Sequence, residues 1–382
     1  MSHLRKIIPG PLRRKTKKLL ARLEPRAMVP AEAVRTIGIC LPQVPFVHGG
    51  AEIHALALRD QLRQRGFQAD LITVPYKWYP REQIENSIHL WQQLDLSEAD
   101  GRPIDLLITT KFPSYFAPHP NKVLWLIHQF RQVYDLYGTP YSDFDPSDRW
   151  DEKIRRQINK LDREAIQGHR RLFSNSRNTA ERLRRFNGLS ATALYHPPKL
   201  HPRYRHERYG DFILSVGRLD KMKRIDWLIR SLRFCPANMR CLIAGAGPEL
   251  NKLEALARES GVADRVEFLG YVDDQRLLQL YAECFAVYYA PFDEDYGYVT
   301  LEAFFSQKPV LSAVDSGGTL EFVVDGQNGF IIEPNNEQRL AEGITLLFND
   351  RERCRAFGLD GLDRVKGISW DHAIRELLGL QP

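Results

Sequence analysis

The sequence predicts an α/β protein with two Rossmann-like domains, each built on a parallel sheet. Short apolar runs alternate with helical-period segments, for example Ile37 to Leu41, Glu52 to Gly66 and Ala69 to Val74. This alternation is typical of βα units and parallel sheets. A proline-rich stretch, 195–203, interrupts the pattern near the middle of a 382-residue chain. The chain is therefore long enough for two domains of about 150 to 190 residues each.

These breaks divide the chain into four parts. Residues 1–30 form a basic N-terminal segment, 31–200 the first domain, 201–366 the second domain, and 367–382 a C-terminal helix. Ser369 precedes the apolar period of that last segment and is a good helix N-cap. We expect the boundary between the two domains near residue 200.

Composition favours a cytoplasmic enzyme. The hydrophobic fraction of 43% is that of an ordinary globular protein, and no apolar run is long enough to span a bilayer. The N-terminus lacks the apolar core and cleavage site of a secretory signal. Five cysteines, an odd number without Cys-x-x-Cys spacing, favour a reducing compartment and give no support to a zinc site.

The positive charge is concentrated at the N-terminus. Residues 1–30 contain nine Lys or Arg and one acid, Glu24, while an apolar stripe runs from Leu12 to Leu23. This is the pattern of a helix that lies on an anionic membrane surface, although a solvated tail or a helix docked on the first domain fits equally well. A second basic stretch, 153–185, would widen that surface or bind an acidic acceptor. We expect no nucleic-acid partner.

Two glutamates mark the candidate site. The apolar run 286–290 predicts a buried strand that ends at Pro291, and 298–305 predicts a helix. Glu294 therefore lies in the turn and Glu302 in the helix. The backbone N–H groups of Tyr296, Gly297 and Tyr298 open that helix, where unpaired donors and the helix dipole favour an anion. Ordinary acidic residues at a helix start are the alternative explanation.

A second strand, Phe212 to Val216, ends in Gly217 and a cationic turn. Arg218 and Lys223 flank this strand-to-helix turn, which is where open α/β sheets bind ligands. Cations oppose the dipole at a helix start, so an anionic ligand such as a phosphate would explain them.

With these residues the chain resembles the retaining, nucleotide-sugar-dependent glycosyltransferases of family 4, which have the GT-B fold. The resemblance covers most of residues 35 to 380. It is carried, in chain order, by Gly49-Gly50-Ala51-Glu52, Ser174-Asn175-Ser176, Ala180-Glu181-Arg182-Leu183, Gly217-Arg218-Leu219 with Lys223, Ala244-Gly245-Ala246-Gly247-Pro248-Glu249, Phe268-Leu269-Gly270-Tyr271, Glu294 with Glu302, Asp325-Gly326 and Asn328-Gly329-Phe330.

The resemblance implies two parallel sheets facing across a cleft, with the last helix crossing back onto the first domain. It also implies a role for each matching residue. Arg218 and Lys223 would hold the donor diphosphate, Glu302 the ribose, and Glu294 would lie beside the donor sugar. The remaining donor contacts would come from Gly49, Gly50, Gly217, Gly245, Tyr271, Val272, Tyr296, Gly297 and Tyr298.

In the first domain, His128 matches a family histidine beside the sugar. It follows the apolar run 123–127, where a structural histidine is the alternative. We expect Lys111, Arg131 and Tyr134 to face the acceptor. The family often has Ser-Phe where this chain has Asp295-Tyr296, and His where it has Lys111. These departures bear on the donor sugar and on the acceptor.

The predicted reaction transfers a sugar from a nucleoside diphosphate sugar, UDP- or GDP-linked, to a hydroxyl of a glycan or lipid-linked acceptor, as in cell-envelope polysaccharide synthesis. The configuration of the anomeric carbon is retained. No cofactor or metal is expected, because Arg218 and Lys223 supply the counter-charge.

Three alternatives remain open. The acidic triplets 143–145 and 293–295 have the spacing of a divalent-metal site. A catalytically silent protein of the same fold would bind a membrane or nucleic acid through its basic tail. A nucleotide-sugar epimerase would act on the donor without an acceptor.

Overall fold

The computed structural model describes residues 29–47 and 49–381. Residues 1–28 of the basic segment, and with them the predicted membrane-surface helix, lie outside the described residues. Within the described ranges, no helix is both long and apolar enough to cross a membrane. All five cysteines are buried and unpaired.

The first domain is built on a parallel sheet. In chain order the strands of this domain are β1 (Thr36–Gln43), β2 (Gln68–Pro75), the short antiparallel pair β3 (Glu98–Ala99) and β4 (Arg102–Pro103), β5 (Leu106–Thr109), β6 (Lys122–Leu126), β7 (Leu172–Ser174) and β8 (Thr192–Ala193). The six strands other than β3 and β4 pair in the order β2-β1-β5-β6-β7-β8, all in parallel. Their residues are almost entirely buried in β1, β5 and β6, which explains the apolar runs of the sequence.

Four helices cover this sheet: α1 (Gly50–Gln64), α2 (Glu82–Gln92), α3 (Arg149–Gln167) and α4 (Arg177–Asn187). The start of α4 is set by Ser176, whose side chain accepts from the N–H of Thr179, and its end by Gly188 in the left-handed conformation. This fixed helix faces the second domain.

The second domain repeats the architecture. Its strands are β9 (Phe212–Val216), β10 (Arg240–Ala244), β11 (Val266–Gly270), β12 (Ala286–Tyr288), β13 (Val310–Ala313) and β14 (Gly329–Ile332). They form a parallel sheet in the order β11-β10-β9-β12-β13-β14. The strand order reverses between β9 and β12, so a ligand crevice is expected at the carboxyl ends of these two strands. The predicted strand at 212–216 is confirmed, and the one predicted at 286–290 is confirmed over 286–288.

Six helices complete this half: α5 (Ile225–Ser231), α6 (Leu250–Glu259), α7 (Asp274–Glu283), α8 (Tyr298–Phe305), α9 (Glu337–Asn349) and α10 (Arg351–Val365). The predicted helix at 298–305 is confirmed as α8. One core on each face of the sheet is made by the apolar sides of these helices.

The last helix, α11 (Trp370–Leu378), packs on the first domain, as the resemblance implied. Ser369 caps it by accepting from the N–H of His372. Its apolar side enters the core around β1 and α1, and Arg171 donates to the carbonyl oxygens of Glu376 and Leu377 at 2.7 and 2.8 Å. The chain therefore crosses between domains twice, once at 194–211 and once after α10. The α/β fold class, with two parallel sheets, is confirmed.

Candidate functional site

The turn between β12 and α8 is held by backbone hydrogen bonds from its own domain. The N–H of Asp293 donates to Asp315 O at 2.8 Å, and the carbonyl of Glu294 accepts from Gly318 at 2.7 Å. Gly297 ends the turn with φ +79°, and a Cβ there would meet Thr319 Oγ1 at 2.8 Å. Glycine is therefore required at this position by both conformation and space. The turn lies at the carboxyl end of β12, where the ligand crevice is expected.

Lys223 and Glu294 meet across the crevice. Lys223 follows β9, Glu294 follows β12, and their side chains form an ion pair in which both are about one-fifth exposed. Tyr289 donates its hydroxyl to Glu294 Oε2 at 2.9 Å. Burial alone would raise the pKa of Glu294, but the charge of Lys223 and these hydrogen bonds outweigh it and leave that pKa below its usual value. Glu294 is thus a carboxylate at neutral pH.

Arg218 lies at the mouth of the crevice. Its side chain is exposed and, among the residues that the structure describes, forms no hydrogen bond or ion pair. Arg218 and Lys223 therefore differ, because Lys223 already neutralises Glu294 while Arg218 is free to meet an incoming anion.

Glu302 lies eight residues farther along than Glu294, within α8, and has a different environment. Its two oxygens accept hydrogen bonds from Tyr281 at 2.6 Å and from Tyr204 at 3.1 Å. No cation pairs with it among the described residues. Burial raises the pKa of Glu302, and the two hydroxyls offset this only in part. Each carboxylate oxygen keeps a lone pair that could accept from a ligand hydroxyl.

Two unpaired donors lie between these carboxylates. Within the described ranges, the backbone N–H groups of Tyr296 and Gly297 form no hydrogen bond with the protein. They precede α8, whose N-terminus also carries the N–H of Tyr298. The ring of Tyr296 is buried, and its hydroxyl donates to His196 O at 2.7 Å. Its side chain thus anchors the site to the interdomain connection.

The other end of the crevice is formed by close backbone contacts. A Cβ at Gly245 would lie 1.9 Å from Gly217 O, so these two strand ends approach as only glycine allows. Tyr271 is 87% exposed, and Val272 packs against the core. Both residues follow β11, whose last residue, Gly270, accepts from the N–H of Gly245 at 2.8 Å.

The first domain brings its glycine loop over this site. The α carbon of Gly50 faces the ring of Tyr298, which a Cβ would contact at 3.5 Å. The N–H of Gly49 donates to Glu52 Oε2 at 2.9 Å, and Lys111 pairs with Glu52 Oε1 at 2.9 Å. Lys111 is buried, so it braces the glycine loop and presents no free charge to an acceptor.

His128 follows β6 and lies on the same side of the cleft. Its Nδ1 is 2.7 Å from Gln129 O, so we assign the proton to Nδ1 and leave Nε2 as an acceptor. Burial lowers the pKa of His128, while the nearby charge of Asp295 opposes that change. A neutral histidine whose Nε2 accepts a hydrogen bond from a hydroxyl group is compatible with a sugar at this position.

The two other predicted acceptor-side residues, Tyr134 and Arg131, are already bonded to other groups of the protein. Tyr134 is only 3% exposed and donates to the buried Asp162 at 2.7 Å. Arg131 pairs with Asp135 at 2.6 Å and donates to the carbonyl of Asp293 at 2.8 Å. Neither side chain is free to contact an acceptor in this conformation.

The described residues contain no group of three or more His, Cys, Asp or Glu that could hold a metal ion. In the acidic triplet 293–295, Glu294 pairs with Lys223, and both aspartates pair with Arg182 of the first domain. Sequence reasoning gave Arg182 no role. Its signals were its place in the motif 180–183 and the unusual aspartate at 295.

Comparison with protein families matches residues 198–362 to the family described as glycosyl transferases group 1. Among curated proteins, the D-inositol 3-phosphate glycosyltransferase of Nocardia farcinica is 35% identical over 176 residues. That match covers 44% of this chain and 39% of the relative, so the matched stretch spans less than half of either protein.

Solved structures match almost the whole chain in fold. A sucrose-phosphate synthase from Thermosynechococcus elongatus has a TM-score of 0.73 at 19% identity, covering 90% of this chain and 97% of the other. HepE of Anabaena, solved in complex with UDP and glucose, has a TM-score of 0.66 at 17% identity, covering 90% and 98%. At such identities the likeness shows the GT-B fold alone.

The sequence match lies on the second domain, where Lys223, Glu294 and Glu302 share one crevice, and the fold match extends over both domains. The second domain is therefore similar in sequence to the group 1 glycosyltransferases, and the whole chain is similar to GT-B proteins in fold.

Proposed function

We propose that the protein transfers a sugar from a nucleoside diphosphate sugar to an acceptor hydroxyl, with retention at the anomeric carbon. The observation that carries this proposal is the order of groups along one crevice. Tyr271 follows β11, Gly245 follows β10, Arg218 and Lys223 follow β9, and Glu294 follows β12, which is the order of these strands in the sheet. Glu302 of α8 accepts from Tyr281 of α7, the helix after β11, and the unpaired N–H groups of Tyr296 and Gly297 follow Glu294. This order suits a base, a ribose, a diphosphate and a sugar.

Charge stabilisation at the diphosphate is the main chemical contribution we assign. Negative charge develops on the leaving diphosphate, and fixed donors aimed at it stabilise the transition state without reorganising. Arg218 would meet the phosphates first because its side chain has no partner in the described part of the chain. Lys223 would be shared between Glu294 and the phosphate, which places the carboxylate beside the sugar.

Glu294 is assigned to donor-sugar positioning and not to nucleophilic attack. Its hydrogen bonds from Tyr289 and Lys223 hold both its charge and its orientation. Retention follows from the family resemblance, in which the donor phosphate takes the acceptor proton. No metal is required, since two cations and the start of α8 supply the counter-charge.

The donor nucleotide is UDP or GDP in this proposal. The solved Anabaena protein of similar fold contains UDP and glucose, which supports a UDP-sugar. Our acceptor is a glycan or lipid-linked hydroxyl, because α3 exposes Lys153, Arg156, Lys160 and Arg163 on the first domain. Such a basic surface suits an anionic acceptor or a membrane-bound one.

The test is turnover of nucleoside diphosphate sugars by the full chain in the presence of EDTA. Release of nucleoside diphosphate together with a sugar product of unchanged anomeric configuration, followed by proton NMR, is the expected result. Interconversion of the donor sugar without release of the nucleotide would favour an epimerase. Absence of turnover with any donor, with and without candidate acceptors, would favour the silent protein.

Membrane association is proposed for residues 1–30. Deletion of residues 2–30 should weaken sedimentation with anionic vesicles and leave donor binding intact, since the described donor groups all lie between Gly49 and Glu302. Neutral vesicles are the control. Equal sedimentation of the full and shortened chains would remove this proposal.

A further inference from the structure

Five charged side chains join the two domains directly beside Glu294. Arg131, Asp135 and Arg182 come from the first domain, and Asp293 and Asp295 come from the turn before α8. We call this group the interdomain charge cluster. It contains the aspartate at which the chain departs from the family pattern.

Arg182 is the centre of the interdomain charge cluster. Its side chain is 6% exposed, its Nη1 pairs with Asp295 Oδ1, and its Nη2 lies 3.0 Å from Asp293 Oδ1. The same Nη2 donates to the backbone carbonyl of Asp293 at 2.7 Å. Burial would raise the pKa of Asp295, but Arg131 and Arg182 outweigh it and hold that pKa far below its usual value. Asp295 is therefore a carboxylate at neutral pH.

Helix α4 adds two uncharged contacts to the same turn. The side-chain amide of Asn178 donates to Asp293 Oδ1 at 2.8 Å and to the backbone carbonyl of Glu294 at 2.9 Å. In return, Glu321 of the second domain accepts from the N–H groups of Arg177 and Asn178 at the start of α4. Helix α4 thus donates to the donor turn through Asn178, and its own start is held by Glu321 of the second domain.

The contacts of Arg182 and Asn178 hold a strained stretch of backbone. Asp293 has φ +43°, a conformation that residues other than glycine adopt only when their surroundings enforce it. Both neighbours of Glu294 are bound by Arg182, and its own carbonyl is bound by Asn178. The position of the Glu294 carboxylate therefore depends on the contact of α4 with the second domain.

We propose that Arg182 and Asp295 are positioning residues that place Glu294 beside the donor sugar only when the two domains are closed. This inference rests on the proposed function and deepens it. Nucleotide contacts such as Glu302 belong to the second domain alone and do not need α4. Loss of the Arg182–Asp295 pair should therefore reduce turnover far more than nucleotide affinity.

The test compares Asp295→Asn, Arg182→Met, the double variant and Asn178→Ala in the full chain. Asn178→Ala removes two hydrogen bonds to the turn without leaving a buried charge unpaired, so it stays informative if the charge variants unfold. Arg184→Gln on the same helix is the matched control, because its ion pair with Glu181 is exposed and faces solvent. Circular dichroism and thermal unfolding establish that each variant is folded.

We expect kcat to fall on the order of 10²-fold in the charge variants, the size of loss that follows a misplacement of about 1 Å. Dissociation constants for nucleoside diphosphate should change less than threefold. The double variant should be no slower than the worse single variant, because both remove the same interaction. Asn178→Ala should show a smaller loss of the same kind, and Arg184→Gln none.

A folded variant with wild-type kcat, or one that loses nucleotide affinity and turnover equally, would overturn the positioning role. Additive losses in the double variant would also overturn it. Absence of turnover in the unmodified chain would count against the proposed function itself, and the two failures are therefore distinguishable.

Discussion

The two ends of the donor crevice bind a carboxylate in opposite ways. At the end that we assign to the sugar and phosphates, Glu294 is paired with Lys223 and its pKa is lowered. At the end that we assign to the ribose, Glu302 is held by two tyrosine hydroxyls and its pKa is raised. The first carboxylate is thus already neutralised, while the second carries charge that burial disfavours.

The phosphate end and the ribose end therefore lack different binding partners. The phosphate end has an exposed cation, Arg218, whose side chain has no partner among the described residues, and open N–H groups, so it gains most from an anion. The ribose end has spare acceptor capacity and gains most from hydroxyl donors. A nucleoside diphosphate supplies both along its length, and each end can be perturbed separately.

The largest effect is expected at the phosphate end. Lys223→Ala or Arg218→Ala should lower turnover by on the order of 10²- to 10³-fold, by analogy with the loss of one oxyanion donor. Steady-state release of nucleoside diphosphate measures it. Lys221→Ala is the control, because this exposed lysine lies on the same turn and has no ion-pair partner among the described residues. Near-normal turnover in either of the first two variants would contradict the assignment.

A smaller effect is expected at the ribose end. Glu302→Ala should weaken nucleoside diphosphate binding roughly 10- to 100-fold, since hydrogen bonds to a charged group contribute about 1.5–3 kcal/mol. Binding of the 2′,3′-dideoxy nucleotide should be equally weak in both proteins. Calorimetry with inorganic diphosphate is the control, and its affinity should not change. A variant that still prefers the hydroxylated ribose would refute the assignment of Glu302.

The smallest effect concerns stability and has opposite signs at the two ends. Because the folded pKa of Glu302 is raised, its contribution is full in acid and is lost as pH rises through that pKa. Glu302→Gln should therefore gain free energy of unfolding relative to the unmodified chain on going from about pH 4 to pH 7. Denaturant unfolding at several pH values measures it.

Glu294 provides the contrast. Its pKa is lowered, so its contribution is present at neutral pH and is lost as pH falls through the folded pKa. Glu294→Gln should be less stable than the unmodified chain at pH 7, with the difference shrinking in acid. Slopes of the same sign in both variants would contradict the assigned environments.

Much of the second domain could be predicted because its signals are local. The run that forms β12, the proline after it and the helical period of α8 lie within 20 residues of each other, and all are read from one window. The same holds for β9 and its cationic turn. Local periodicity thus placed Lys223, Glu294 and Glu302 on the correct elements.

The state of the first-domain residues could not be predicted in this way. Lys111 is neutralised by Glu52, 59 residues earlier, and Tyr134 is turned inward by Asp162, 28 residues later. Arg182 and Asp295 are 113 residues apart and in different domains. The first two pairs depend on how helices α1 and α3 pack within the first domain, and the third depends on how the two domains meet. No single window of sequence contains either.

The donor site is tested most directly by thermal unfolding of the full chain with UDP, GDP, ADP and their common sugars, in EDTA. We predict saturable stabilisation by one nucleotide, clearly reduced in Glu302→Ala. No stabilisation by any nucleotide, or equal stabilisation of both proteins, would contradict a donor site in this crevice.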